Sequence, residues 1–118
     1  MKENRILIVD DERIVRESLT HWFEEEGYVI ESAENGNEAL RIFSRGKFDL
    51  ALLDMKMPGM TGLELLRKIK DIDESCIVIL ITAFASVPTA IQALKDGAYD
   101  YVTKPVDPDE LNNIVRNA

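Results

Sequence analysis

The chain has 118 residues, of which 46% are hydrophobic and 31% charged, and its 14 Lys and Arg against 22 Asp and Glu give a net charge of −8. This length predicts one soluble domain with a core of its own, and the lone Cys76 excludes an internal disulfide or a cysteine-based zinc site. The acidic balance argues against direct nucleic-acid binding, and the lack of a bilayer-length apolar run predicts a cytoplasmic protein without membrane contact.

Strands and helices alternate from the N-terminus onward. The first predicted strand, Arg5–Val9, precedes a helix with apolar residues at i, i+4, i+7 and i+8 that ends at Gly27. The second strand, Tyr28–Ser32, precedes a helix that ends at Gly46, and a third strand is predicted at Asp49–Leu53. The predicted inward residues of these two helices are Val15, Leu19, Trp22, Phe23, Ala39, Leu40 and Phe43.

The same alternation continues to the C-terminus. A capping box of Thr61 and Glu64 predicts the start of the third helix, and strands follow at Ile77–Thr82 and, more weakly, at Tyr99–Val102. The fourth and fifth helices each begin with a capping residue and a first-turn proline, namely Ser86 with Pro88 and Asp107 with Pro108. The predicted inward faces are Gly62, Leu65, Leu66 and Ile69 in the third helix, Val87, Ala90, Ile91 and Leu94 in the fourth, and Leu111, Ile114 and Val115 in the fifth.

Five strands that alternate with five helices predict an α/β fold with a parallel sheet covered on both faces, because a parallel crossover needs a helix-length connection. In such folds ligands bind outside the carboxyl ends of the strands. The side chains at those ends are therefore the candidates for function.

The predicted strand ends collect acids, a hydroxyl and a lysine: Asp10, Asp11, Asp54, Thr82 and Lys104. Two carboxylates about 4 Å apart repel by roughly 4 kcal/mol at an effective dielectric of about 20, so the cluster requires a cation. Mg²⁺ is the natural candidate, since it prefers oxygen ligands and commonly takes one or two carboxylates. Lys104 would supply the remaining positive charge.

A carboxylate, a metal and a lysine around an open coordination position are typical of phosphoryl chemistry. The metal and Lys104 would neutralise the phosphoryl oxygens, Asp54 would attack in line, and Thr82 would donate a hydrogen bond to the product. That product would be an acyl phosphate on Asp54.

Four motifs strongly resemble those of the receiver domain of bacterial two-component response regulators, in order and across essentially the entire chain. They are Val9-Asp10-Asp11, the segment from Leu53 to Gly62, Ile81-Thr82-Ala83 and Lys104-Pro105. Residues 80–111 are similar to the receivers of nitrogen-regulatory-type transcription activators. The resemblance implies a flavodoxin-like fold, with a doubly wound five-stranded parallel sheet in the order 2-1-3-4-5 and five helices. Residues 1–118 would form one receiver domain, with the output domain outside this chain.

The resemblance also implies roles for the strand-end residues. Asp54 is the phosphoacceptor, Asp10 and Asp11 hold Mg²⁺ directly or through water, and the backbone carbonyl of Lys56 completes the protein ligands. Lys104 belongs to the same catalytic set.

Further roles follow from the same resemblance. Thr82 and Tyr101 form a switch pair, in which the ring enters space that the threonine vacates on phosphorylation. Lys56 and Phe84 tune the rate of dephosphorylation, and Pro105 follows a cis peptide bond.

The function implied is that of a signalling switch, not of an enzyme acting on outside substrates. A sensor histidine kinase would phosphorylate Asp54, and the surface of helix four, strand five and helix five would change to control an output domain or downstream protein in transcription regulation. A homodimer through the same surface is a further possibility, and the sequence does not fix the oligomeric state.

Several alternatives remain at this point. A Mg²⁺-dependent phosphohydrolase of the haloacid-dehalogenase type needs a second acid two residues after the nucleophile, where this chain has Lys56. A nucleotide- or flavin-binding module lacks its glycine-rich phosphate loop here, and a phosphorylation-independent scaffold would not need the full site. Asp11 could instead cap the first helix. His21 is expected to carry no chemistry, Cys76 is expected to be structural, and Met55, Met57 and Met60 suit either a binding surface or packing.

Overall fold

The computed structural model describes residues 4–83 and 86–118. In that part of the chain five strands alternate with five helices. The strands are β1 (Arg5–Val9), β2 (Val29–Ala33), β3 (Leu50–Asp54), β4 (Ile77–Thr82) and β5 (Asp100–Thr103). The helices are α1 (Arg13–Glu25), α2 (Gly36–Arg45), α3 (Gly62–Ile72), α4 (Val87–Lys95) and α5 (Pro108–Asn117).

All strand pairs are parallel, and the sheet order is β2-β1-β3-β4-β5, which confirms the predicted fold class. The bounds of β1 and β4 agree with the prediction, whereas β2, β3 and β5 each begin and end one residue later than expected. Ala33, Asp54 and Thr103 therefore belong to the sheet as the last residues of β2, β3 and β5.

Both faces of the sheet are buried, since side chains alternate between faces along each strand. Along β1, Leu7 and Val9 join one core while Ile6 and Ile8 join the other. The first core packs under α2, α3 and α4, and its helix side chains include Ala39, Phe43, Leu65, Leu66, Ile69 and Ala93. The second packs under α1 and α5, and its helix side chains include Leu19, Phe23, Leu111 and Val115.

The β3–α3 connection depends on a glycine. A Cβ at Gly62 would overlap the backbone oxygen of Asp54 and lie 2.8 Å from the Cα of Met55. The Gly62 N–H donates to the Met55 carbonyl at 2.9 Å, and the predicted capping box of Thr61 and Glu64 is present. The first turn of α3 is therefore held directly against the end of β3.

The predicted inward face of α4 is wrong. Val87, Ile91 and Leu94 are 72%, 48% and 53% exposed, and Ala93 is the buried residue of this helix. The one buried residue of α4 is thus small, and the larger apolar residues lie on the outer side of the helix. We call Val87, Ile91 and Leu94 the α4 stripe.

The carboxyl end of α4 is attached to α3. Asp96 Oδ2 lies 2.8 Å from Arg67 Nε, and its Oδ1 accepts a hydrogen bond of 3.0 Å from the Gln92 side chain. Gly97, at a φ of 105°, then ends the helix as predicted.

No helix within residues 4–83 and 86–118 combines the length and hydrophobicity that crossing a bilayer requires.

Candidate functional site

Three polar side chains are buried where β1, β3 and β4 end. Asp10 directly follows β1, and Asp54 and Thr82 are the last residues of β3 and β4. They are 2%, 5% and 2% exposed. The parallel register brings these ends together, since Val9 lies opposite Leu53 and Asp54 lies opposite Ile81.

Lys104 completes this cluster from the fifth strand, which it directly follows. Its Nζ lies 3.2 Å from Asp10 Oδ2 and 3.5 Å from Asp54 Oδ1. A third carboxylate, Glu12 Oε1, lies 3.6 Å from the same ammonium. The structure therefore brings the predicted residues Asp10, Asp54 and Lys104 into one ionic cluster, although they are far apart in sequence.

Burial and crowding of like charges raise the pKa of the acids. Burial, followed by the charge of Asp10, raises the pKa of Asp54 to about 6, although Lys104 opposes the shift. Burial also raises the pKa of Asp10, against the lowering effects of the Glu12 N–H and Lys104. Burial alone would lower the pKa of Lys104, but the surrounding carboxylates outweigh it and the pKa is raised. The single ammonium of Lys104 thus lies among three carboxylates and does not neutralise them.

The donor set suits a hard divalent cation. Carboxylate oxygens of Asp10, Asp11 and Glu12 lie within 4.8 Å of one another. The neighbouring Asp11 carboxyl group makes a smaller contribution to the raised pKa of Asp54. Oxygen ligands in this number are those that Mg²⁺ prefers, so the residues fit the ion expected from the sequence.

Glu12 is the member of the cluster that sequence reasoning missed. It is the N-cap residue of α1, so the alternative in which Asp11 caps this helix is wrong. The Glu12 N–H donates to Asp10 Oδ1 at 2.8 Å. Only its position directly after two aspartates could have indicated that its side chain reaches the site.

The loop after β3 contains both buried methionines and an exposed lysine. Met55 and Met57 are buried in the core and Met60 packs against it, so their role is packing. Lys56 lies between the two buried methionines and is exposed. Lys56 thus follows Asp54 by two residues in the chain, and its side chain is exposed.

Thr82 and Tyr101 lie on the neighbouring strands β4 and β5. Tyr101 lies opposite Leu80 in the strand register. Its side chain packs against the core that lies under α2, α3 and α4. Its hydroxyl oxygen is buried and has no hydrogen-bond partner among the described residues. The ring is therefore turned into the protein. Phe84 lies outside the described residues.

The remaining candidates are placed as follows. The Lys104–Pro105 peptide bond is cis. His21 is exposed, with Nε2 3.3 Å from Glu25 Oε1, and lies away from the strand ends. Cys76 is buried at the opposite end of β4, and burial raises the pKa of its thiol to about 12, which suits a structural residue.

Comparison with known proteins gives one consistent answer. A family model described as "Response regulator receiver domain" matches residues 6–116. Regulatory protein AtoC of Escherichia coli (strain K12) is 47% identical over 115 residues, which are 98% of this chain and 25% of AtoC. The chain thus spans about a quarter of that relative's length.

Solved structures agree. A receiver domain protein (CheY-like) from Methanospirillum hungatei JF-1 has a TM-score of 0.95 and 36% identity, with 98% of this chain and 93% of that one covered. Response regulator protein TrrA from Thermotoga maritima, solved in complex with Mg(2+)-BeF, has a TM-score of 0.88 and 41% identity, with 97% of each chain covered.

Proposed function

The chain belongs to the family of response regulator receiver domains, and we propose that it is a switch whose Asp54 accepts a phosphoryl group from a sensor histidine kinase. The observation that carries the proposal is the position of Asp54. It ends the central strand β3 in a buried cluster, with its Oδ1 3.5 Å from Lys104 Nζ. Residues 1–118 would act as one receiver domain in the cytoplasm, without binding nucleic acid directly.

The chain's own side chains supply the transfer step. An oxygen of Asp54 attacks the phosphorus atom of the kinase's phosphohistidine in line, and the bond between phosphorus and the imidazole nitrogen of that histidine breaks. The electron pair stays on the imidazole, and the product is an acyl phosphate on Asp54. In this proposal the Lys104 ammonium neutralises one phosphoryl oxygen, and the Thr82 hydroxyl donates a hydrogen bond to another.

Asp10, Asp11 and Asp54, with the backbone carbonyl of Lys56, would hold Mg²⁺. When bound, the ion would supply positive charge for the phosphoryl oxygens. The support is the oxygen donor set at the strand ends and the Mg(2+)-BeF complex of the similar protein TrrA.

The signal would leave through α4, β5 and α5. In this proposal Thr82 moves toward the phosphoryl group and the Tyr101 ring takes the vacated space, which shifts the population between two surfaces. Exposure of the α4 stripe supports this surface as the contact for an output domain, a downstream protein or a second copy. Transcription regulation is proposed because relatives such as the C4-dicarboxylate transport transcriptional regulatory protein DctD carry that function in their names.

Intact mass spectrometry tests the proposal. The wild-type chain, incubated with acetyl phosphate and Mg²⁺, should gain the mass of one phosphoryl group, and chelation of the metal should prevent the gain. Asp54→Asn should show no gain, while the control Asp71→Asn, at an exposed position of α3, should behave as wild type.

Two outcomes would contradict the proposal. A phosphoryl adduct that persists in Asp54→Asn would move the acceptor elsewhere. Continuous release of phosphate from many added substrates would favour the phosphohydrolase, despite Lys56 at the position of its second acid.

A further inference from the structure

Glu12 occupies a helix-capping position without using its side chain as a cap. It is the N-cap residue of α1, and its side chain makes no capping hydrogen bond. Short polar residues such as Ser, Thr, Asn and Asp are preferred there, because they reach the free N–H groups of the first turn. Capping therefore does not explain the glutamate. Its carboxylate instead extends to Lys104, with 3.6 Å between Oε1 and Nζ.

The three carboxylates around this ammonium differ in freedom. Asp10 and Asp54 are fixed by burial, whereas the Glu12 side chain is 66% exposed. The Glu12 backbone is nonetheless fixed, because its N–H donates to Asp10 Oδ1 at 2.8 Å. Glu12 thus has a fixed backbone, while its carboxylate lies exposed at the edge of the site.

This negative charge acts in opposite directions on the two groups that the site would bind. The Glu12 carboxylate lies within 4.8 Å of the oxygens of Asp10 and Asp11, so it adds to the attraction for a cation held there. It also competes for the Lys104 ammonium, which would otherwise be available to an anion on Asp54. A charge of this kind favours the metal and opposes the phosphoryl group.

We infer that Glu12 is a positioning residue that draws Lys104 toward the rim and so strengthens cation binding while it weakens anion binding at Asp54. The inference rests on the proposed function, because it concerns how the same site divides its affinity between metal and phosphoryl group. Glu12 would thereby influence the relative stability of the resting and the phosphorylated states.

Binding measurements on three variants test it. Glu12→Gln removes the charge, Glu12→Asp keeps it, and Glu17→Gln removes an exposed charge of the same helix that pairs with Arg13 away from the site. Isothermal titration calorimetry would measure the affinity for Mg²⁺ alone, and then for beryllofluoride, an anion that stands in for the phosphoryl group, at saturating Mg²⁺.

For Glu12→Gln we expect Mg²⁺ to bind about three- to tenfold more weakly and beryllofluoride to bind about two- to threefold more tightly. Both differences should shrink in about 0.5 M salt, since the charge is exposed and screened. Glu17→Gln should resemble wild type for both probes, and Glu12→Asp, which keeps the charge on a shorter side chain, should lie between wild type and Glu12→Gln.

The outcomes separate this inference from the proposed function. If the wild-type chain binds both probes and Glu12→Gln binds them as Glu17→Gln does, the inference is wrong. If Glu12→Gln weakens both probes together, the residue has only a structural role and the inference is again wrong. A wild-type chain that binds neither probe would overturn the proposed function itself, and this inference with it.

Discussion

Asp54 carries its charge where burial and the Asp10 carboxylate oppose it, and its pKa is raised from its ordinary value of 3.8 to about 6. The shift has a consequence for stability, because protons bind more tightly to this group in the folded than in the unfolded state. Ionisation of Asp54 therefore costs folding free energy as the pH rises from about 4 to about 6, and the cost is fully present above about pH 7.

Asp54→Asn should consequently stabilise the metal-free domain. At pH 7.5 we expect the free energy of unfolding to rise by on the order of 2 kcal/mol, since the substitution removes a buried, crowded charge. The gain should decrease at pH 5 and nearly vanish near pH 4. Urea unfolding of both proteins in chelator at these pH values measures it, and a variant less stable than wild type at pH 7.5 would contradict the cause given for the pKa shift.

At this scale the sequence predicted the buried acids and the lysine but not the whole cluster. Asp10, Asp54 and Lys104 could be assigned because each directly ends or follows an apolar strand. Glu12 could not, because its link to Lys104 depends on the direction of a side chain across the fold, for which the linear pattern holds no signal.

Helix α3 shows how an element positions the site. Its first residue, Gly62, lies so close to Asp54 and Met55 that a side chain there cannot be accommodated without moving the end of β3. A single methyl group at this position should therefore affect both the packing of α3 and the position of Asp54, the proposed phosphoacceptor.

We expect Gly62→Ala to lower the free energy of unfolding by about 2–4 kcal/mol, because overlap with backbone atoms outweighs the gain in helix propensity. Chemical unfolding measures the loss. Lys68→Ala, at an exposed position of the same helix, is the control and should change stability by less than about 0.5 kcal/mol. Equal stability of the two variants would show that the β3–α3 connection can relax.

Local signals predicted much at the scale of elements. The capping residues Thr61, Ser86 and Asp107 were identified correctly, because a cap is decided by the residues within one turn. The face of α4 was not, because periodicity locates an apolar stripe without showing whether the sheet or another surface covers it.

Across the whole molecule, the residues proposed to accept the phosphoryl group and those proposed to contact a partner differ in burial. Asp10 and Asp54 are buried at the strand ends, whereas the α4 stripe is open to solvent. Changes in the stripe should therefore leave folding and phosphorylation intact.

The double substitution Ile91→Gln and Leu94→Gln should alter the free energy of unfolding by less than about 1 kcal/mol, because both side chains are largely exposed. Phosphoryl uptake measured by mass should equal that of wild type, while phosphorylation-dependent self-association in analytical ultracentrifugation, or binding of an output partner, should be lost. By contrast Ala93→Leu, on the buried side, should destabilise the domain. Wild-type association in the double variant would move the output surface away from α4.

The attachment of Asp96 to Arg67 limits how α4 can be displaced. With one buried side chain, Ala93, against four buried residues in α3, this helix has little apolar contact to lose when it tilts. Because this ion pair holds the carboxyl end of α4, we expect any displacement of the helix to be larger at its amino-terminal turn, which follows β4 and Thr82 in the chain. The end of α4 that follows Thr82 in the chain is thus the end that lacks the ion pair to α3.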